Sequence, residues 1–131
     1  MIAPRKLTDP IVFSNTLFAI NACVWLYVGR VYCAVAMFVS FIASMAYHHY
    51  RETLRVTLYA DRLSAIVALS TTLYFAYPHL NIFKVTYVSI FLYVSLYIKN
   101  METVDYNTRH LAWHICVFMG QLFLASTIPL N

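Results

Sequence analysis

The chain has 131 residues, of which 62% are hydrophobic and 11% charged, with a formal net charge of +4. A soluble domain of this size carries about 25% charged residues. This composition therefore excludes a water-soluble globule and fits apolar stretches of roughly 20 residues that cross a bilayer. The basic excess is too small and too scattered for a nucleic-acid-binding protein.

Arg5 and Lys6 precede the first uncharged run, residues 11–29. This run is too long for a signal-peptide core and reads as an uncleaved first span. Arg30 interrupts it, and a second run, 31–47, follows at once. The segment 48–62 is polar, with His48, His49, Arg51, Glu52, Arg55, Asp61 and Arg62. A third run, 63–77, ends at Pro78. The fourth run, 80–98, carries Lys84 near its start, where a lysine can snorkel to the interface. After a polar stretch, 99–109, the fifth run, 110–130, has His110 and His114 as its ionisable side chains besides Cys116.

These runs predict an all-α, multi-pass integral membrane protein. Its single domain, residues 1–131, would be a bundle of about five short transmembrane helices. Short connections make successive helices antiparallel neighbours. Strands are excluded, because lipid-facing strand edges leave backbone groups unpaired. Many of the eleven tyrosines lie near the ends of runs, where a phenol wets its hydroxyl and buries its ring. Cys23, Cys33 and Cys116 lie inside apolar runs with no CxxC pair, and read as packing residues. Met37, Met45 and Met119 read the same way. Asn21, Ser89, Ser95 and Gln121 are expected to hydrogen-bond between helices.

With five spans, Arg5, Lys6, Arg51, Arg55, Arg62, Lys99 and Arg109 fall on one side and Arg30 and Lys84 on the other. The excess of Lys and Arg on cytosolic loops puts the N-terminus in the cytosol.

Ionisable groups inside spans are costly and often functional. His48 closes the second helix, and Ser44 shares its face one turn earlier. Asp61 opens the third helix. His110 and His114, at i and i+4, share a face in the first turns of the fifth. The topology puts all five at one membrane surface. Taken singly, each has an ordinary explanation. Asp61 is a good helix N-cap, Ser44 can bond its own i−4 carbonyl, and His48 and His110 suit the headgroup level. Together they offer three neutral imidazoles, the donor set of a catalytic zinc site with an open position. A zinc there lowers the pKa of its bound water and polarises a carbonyl. Asp61 can take the water's proton, and the Ser44 hydroxyl can hold the water or a developing oxyanion.

Ser44-Met-Ala-Tyr-His48, then Asp61, then His110-Leu-Ala-Trp-His114 resembles the signature of the CREST superfamily. That group contains the alkaline ceramidases, the progestin and adipoQ receptors, the GPI-remodelling lipases and the myomaker-like proteins. The shared pattern is S-x-x-x-H at one helix end, Asp at the start of the next helix, and H-x-x-x-H in the last. Tyr47 and Trp113 look most like the ceramidase and myomaker-like branches. The resemblance implies zinc bound by His48, His110 and His114, with Ser44 and Asp61 as the catalytic pair. Two departures stand out. The family has seven spans where five are found here, the missing pair falling between Asp61 and His110. The acidic N-terminal calcium cluster of the ceramidases is also absent, since only Asp9 precedes the first span.

The expected function is a zinc-dependent intramembrane hydrolase of a lipid amide or ester, with metal-bound water as the nucleophile. The alternative is a non-catalytic protein of membrane remodelling, fusion or reception that keeps a structural metal site. A proton-relaying channel ranks last, because no run of polar residues crosses the bilayer. Five short helices are few for enclosing a lipid tail, which leaves room for a homo-oligomer. The orientation is testable: a reporter fused after Asn131 should be protected from cytosolic protease, and a cytosolic reporter would overturn the assignment.

Overall fold

A computed structural model describes residues 4–50 and 53–130. It contains six α-helices and no strand among these residues: α1 (Pro10–Ser14), α2 (Thr16–Tyr27), α3 (Val31–His49), α4 (Arg55–Ala76), α5 (Ile82–Lys99) and α6 (Tyr106–Ser126), with a 3₁₀ turn at Tyr77–His79. The helices α1 and α2 form one broken rod, so the bundle has five rods, as the apolar runs predict. Three rods are long and apolar enough to cross a membrane: Pro10–Tyr27, Val31–His49 and Ile82–Lys99. The other two, α4 and α6, fall short because Arg55, Asp61 and Arg62 lie in one and Arg109, His110, His114 and Gln121 in the other.

Two boundaries differ from expectation. The first span is not continuous. Asp9 caps α1 by accepting from the Ile11 amide at 3.0 Å, with Pro10 in the first turn. At Asn15 the chain breaks step, and its buried side-chain amide donates to the carbonyls of Ile11 and Val12, both at 3.0 Å. The polar segment after α3 is also shorter than its composition implied. The helix α4 begins at Arg55, so Asp61 lies well inside it rather than at its N-cap.

The turn between α2 and α3 follows from Gly29, whose φ of 76° closes the helix in the left-handed region. The Arg30 and Gly29 amides then donate back to the carbonyls of Trp25 (2.9 Å) and Leu26 (3.0 Å).

The bundle is inside-out by the standards of a soluble protein. Its buried positions include Asn21, Ser40, Ser44, Thr72 and Gln121 alongside Ala34, Ala68 and Ala76. Large apolar side chains such as Ile66, Phe83 and Ile90 face outward. Small and hydrogen-bonding residues at helix contacts are what a bundle uses when its surroundings are hydrocarbon. Cys33 and Met37 are core residues, whereas Cys23 and Met119 are exposed, contrary to a packing role. All three cysteines are free.

One polar chain ties three rods together. Trp25 Nε1 donates to Gln121 Oε1, and Gln121 Nε2 donates to Thr72 Oγ1, each at 3.2 Å. The expectation for Gln121 is thereby met. Ser95 instead donates within its own helix, to the Leu92 carbonyl, and the buried Asn21 amide has no hydrogen-bond partner. Replacing Gln121 by Leu should cost about 1–2 kcal/mol, read as a lower midpoint in detergent-titrated unfolding.

Candidate metal centre

The site lies where α1, α3, α4 and α6 meet at one end of the bundle. The last turn of α3 supplies His48, fully buried, and Ser44, also buried, one turn away. The N-terminus of α6 is fixed by Asp105, which accepts from the Thr108 amide at 3.0 Å. Hydrogen bonds from Thr108 hold the Asp105 carboxyl below the ordinary carboxylate range. This cap sets the phase of the helix, which turns His110 and His114 toward α3. The N-terminal arm closes over the same end: the Arg5 amide donates to the His49 carbonyl at 2.8 Å and its guanidinium to the His48 carbonyl at 3.3 Å.

The five residues singled out from sequence come together. One ring nitrogen from each of His48, His110 and His114 lies within 4.8 Å of the others. Nε2 of His110 and Nε2 of His48 are 2.9 Å apart. Two ligand nitrogens on a tetrahedral zinc, each about 2.0–2.1 Å from the metal, are separated by about 3.4 Å, so small side-chain shifts bring this pair to ligand spacing. The Ser44 hydroxyl faces the Asp61 carboxylate within hydrogen-bonding reach, and Asp61 lies inside α4 instead of capping it. Lys99, at the end of α5, stands at the rim with Nζ 5.0 Å from the Trp113 ring, which in turn packs 5.1 Å from the His114 ring.

The decisive contact was not anticipated. Ser14 Oγ lies 2.7 Å from His114 Nδ1. The single hydroxyl proton of Ser14 is already directed at the Ile11 carbonyl, 2.8 Å away. Ser14 must therefore accept, and His114 Nδ1 must carry the proton. That leaves Nε2 of His114 as a bare lone pair, and it is buried with no hydrogen-bond partner. An unmet buried acceptor costs about 1–3 kcal/mol. With a nitrogen of His48 and of His110 within 4.8 Å of one on this ring, His114 has the free donor that a metal ion needs. Ligating histidines characteristically give their other N–H to a neighbouring oxygen, which fixes tautomer and orientation. Ser14 lies in an apolar run with no second polar motif to mark it, yet it is as anomalous there as Ser44 is in the next. The neighbouring Asn15 and the Asp9-Pro10 start were the local signs of a broken helix.

No family model, curated protein or solved structure matches this chain.

If Ser14 orients His114, Ser14→Ala should weaken metal binding by about 10–100-fold while leaving the helical circular dichroism intact. Competition against a zinc-chelating dye measures this, and an unchanged affinity would remove Ser14 from the site.

Proposed function

We propose that this chain is a multi-pass membrane hydrolase that uses a zinc ion to cleave a lipid amide or ester, a shortened relative of the CREST superfamily. The observation that carries the reading is the lone pair of His114, buried and tautomer-locked, on a ring grouped with His48 and His110. In this reading His48, His110 and His114 hold the ion. Zinc bound there would supply an activated water and polarise the scissile carbonyl. Asp61 accepts the proton released by the attacking water, and the Ser44 hydroxyl within its reach fixes the carboxylate for that task.

The lipid part of the proposal rests on a cavity of about 390 Å³ in the bundle. Its wall is nearly all apolar, with Phe18, Met37, Leu69, Phe91, Val117 and Leu124 among the lining residues. It begins beside His114, because Trp113 adjoins His114 on α6, and two turns from His48, because Ser40 lies one turn before Ser44 on α3. Residues of α2, α3, α4, α5 and α6 all line it, and a hydrocarbon tail fits such a wall. The outward apolar surface supports five spans, including α4 and α6, whose Asp61, His110 and His114 lie at the site. The basic excess at the histidine end supports a cytosolic N-terminus.

Purified protein should carry close to one zinc per chain by elemental analysis, and His114→Ala should lose it. Zinc at background level in wild type would sink the proposal. Asp61→Asn should keep zinc and fold yet lose turnover by about a hundredfold or more, in a mass-spectrometric screen of ceramides and glycerolipids. A zinc-loaded wild type that cleaves no lipid, or an Asn variant as active in its cellular role, would favour the structural-clip alternative.

A further inference from the structure

The end of the bundle away from the histidines has an electrostatic character of its own. Among the described residues the four carboxylates, Asp9, Asp61, Glu102 and Asp105, all fall in segments that belong to the histidine end. The far end has two turns, after α2 and after α4, and its Lys and Arg residues are Arg30 and Lys84. Both gather at one place. A concavity of about 520 Å³ joins the two turns and is lined by Arg30, Ser70, Tyr74, Phe75, Tyr77 and His79, among others. The Arg30 guanidinium carbon stands 5.8 Å from the Phe75 ring centre. Lys84 Nζ donates to the His79 carbonyl at 3.0 Å, which holds a second cation at the rim.

Arg30 Nε is buried and has no hydrogen-bond partner. A guanidinium N–H withdrawn from water is ordinarily matched by an anionic oxygen, and no carboxylate lines this concavity. The planar fork of arginine fits a phosphate through two parallel hydrogen bonds. Tyr74 and Tyr77, largely exposed beside it, are amphipathic rings of the kind found at headgroup level. The 18 residues from Arg30 to His48 along α3 rise about 27 Å, close to the hydrocarbon thickness of a bilayer, about 30 Å. With the histidine end at one interface, Arg30 is at the phosphate level of the other.

We propose that the Arg30 concavity binds the phosphate of a phospholipid headgroup in the leaflet opposite the histidines. The proposal rests on the membrane-spanning reading and is independent of hydrolysis, so a failure of either leaves the other standing.

The test uses delipidated protein in neutral detergent and follows thermal unfolding together with lipid adducts in native mass spectrometry. Dioctanoylphosphatidylglycerol should bind and raise the unfolding temperature, whereas dioctanoylglycerol and inorganic phosphate at equal concentration should not. Arg30→Gln should weaken the phospholipid by about tenfold, and Lys6→Gln, at the other end, should leave it unchanged. Equal binding by wild type and Arg30→Gln would overturn the proposal, as would inorganic phosphate matching the lipid. Should Arg30→Gln fail to fold, Arg30→Lys decides: it keeps the charge and loses the fork, and undiminished binding would overturn the assignment.

Discussion

The hydrogen bond between Ser14 and His114 is the constraint on which the site depends. It settles which ring nitrogen carries the proton, and so turns an ordinary buried histidine into one with a free lone pair. Ser14 is the last residue of α1, next to the break at Asn15. The Asp9 cap, the Asn15 side chain and the Arg5 contact with the end of α3 all fix this short segment. The N-terminal arm therefore packs against the candidate metal centre.

Much of this was legible in the sequence. Uncharged runs separated by charged segments gave five rods, and parity alone placed His48, Asp61, His110 and His114 at one end. Helical periodicity put Ser44 beside His48 and His110 beside His114. Lateral convergence was not legible, because periodicity fixes a residue's face and depth but not which rod that face meets. The start of α4 is not legible for a related reason. Hydropathy marks where a helix leaves lipid, not where its backbone hydrogen bonds stop, so the charged turns from Arg55 to Arg62 looked like a loop. The same blind spot hid Ser14, which lies next to a helix break that costs only one residue.

Polar groups do two different jobs in this bundle. In the middle, the Trp25–Gln121–Thr72 chain is closed, each donor meeting an acceptor, and it locks three rods in register. At the histidine end, the polar set is left open at His114 Nε2, and Asn15 Oδ1 and His49 Nδ1 are also buried there without a hydrogen-bond partner. The unbonded amide of Asn21 belongs to neither pattern, and nothing in the structure explains it.

The histidines and their supports come from α1, α3, α4 and α6, while α5 packs chiefly on α6. This arrangement separates what must stay still from what can vary. Sequence drift in α5 reshapes the hydrocarbon-lined hollow without disturbing the spacing of the imidazoles. In a chain built this way, substitutions on α5 change the shape of the hollow while the rods that carry the three histidines stay as they are.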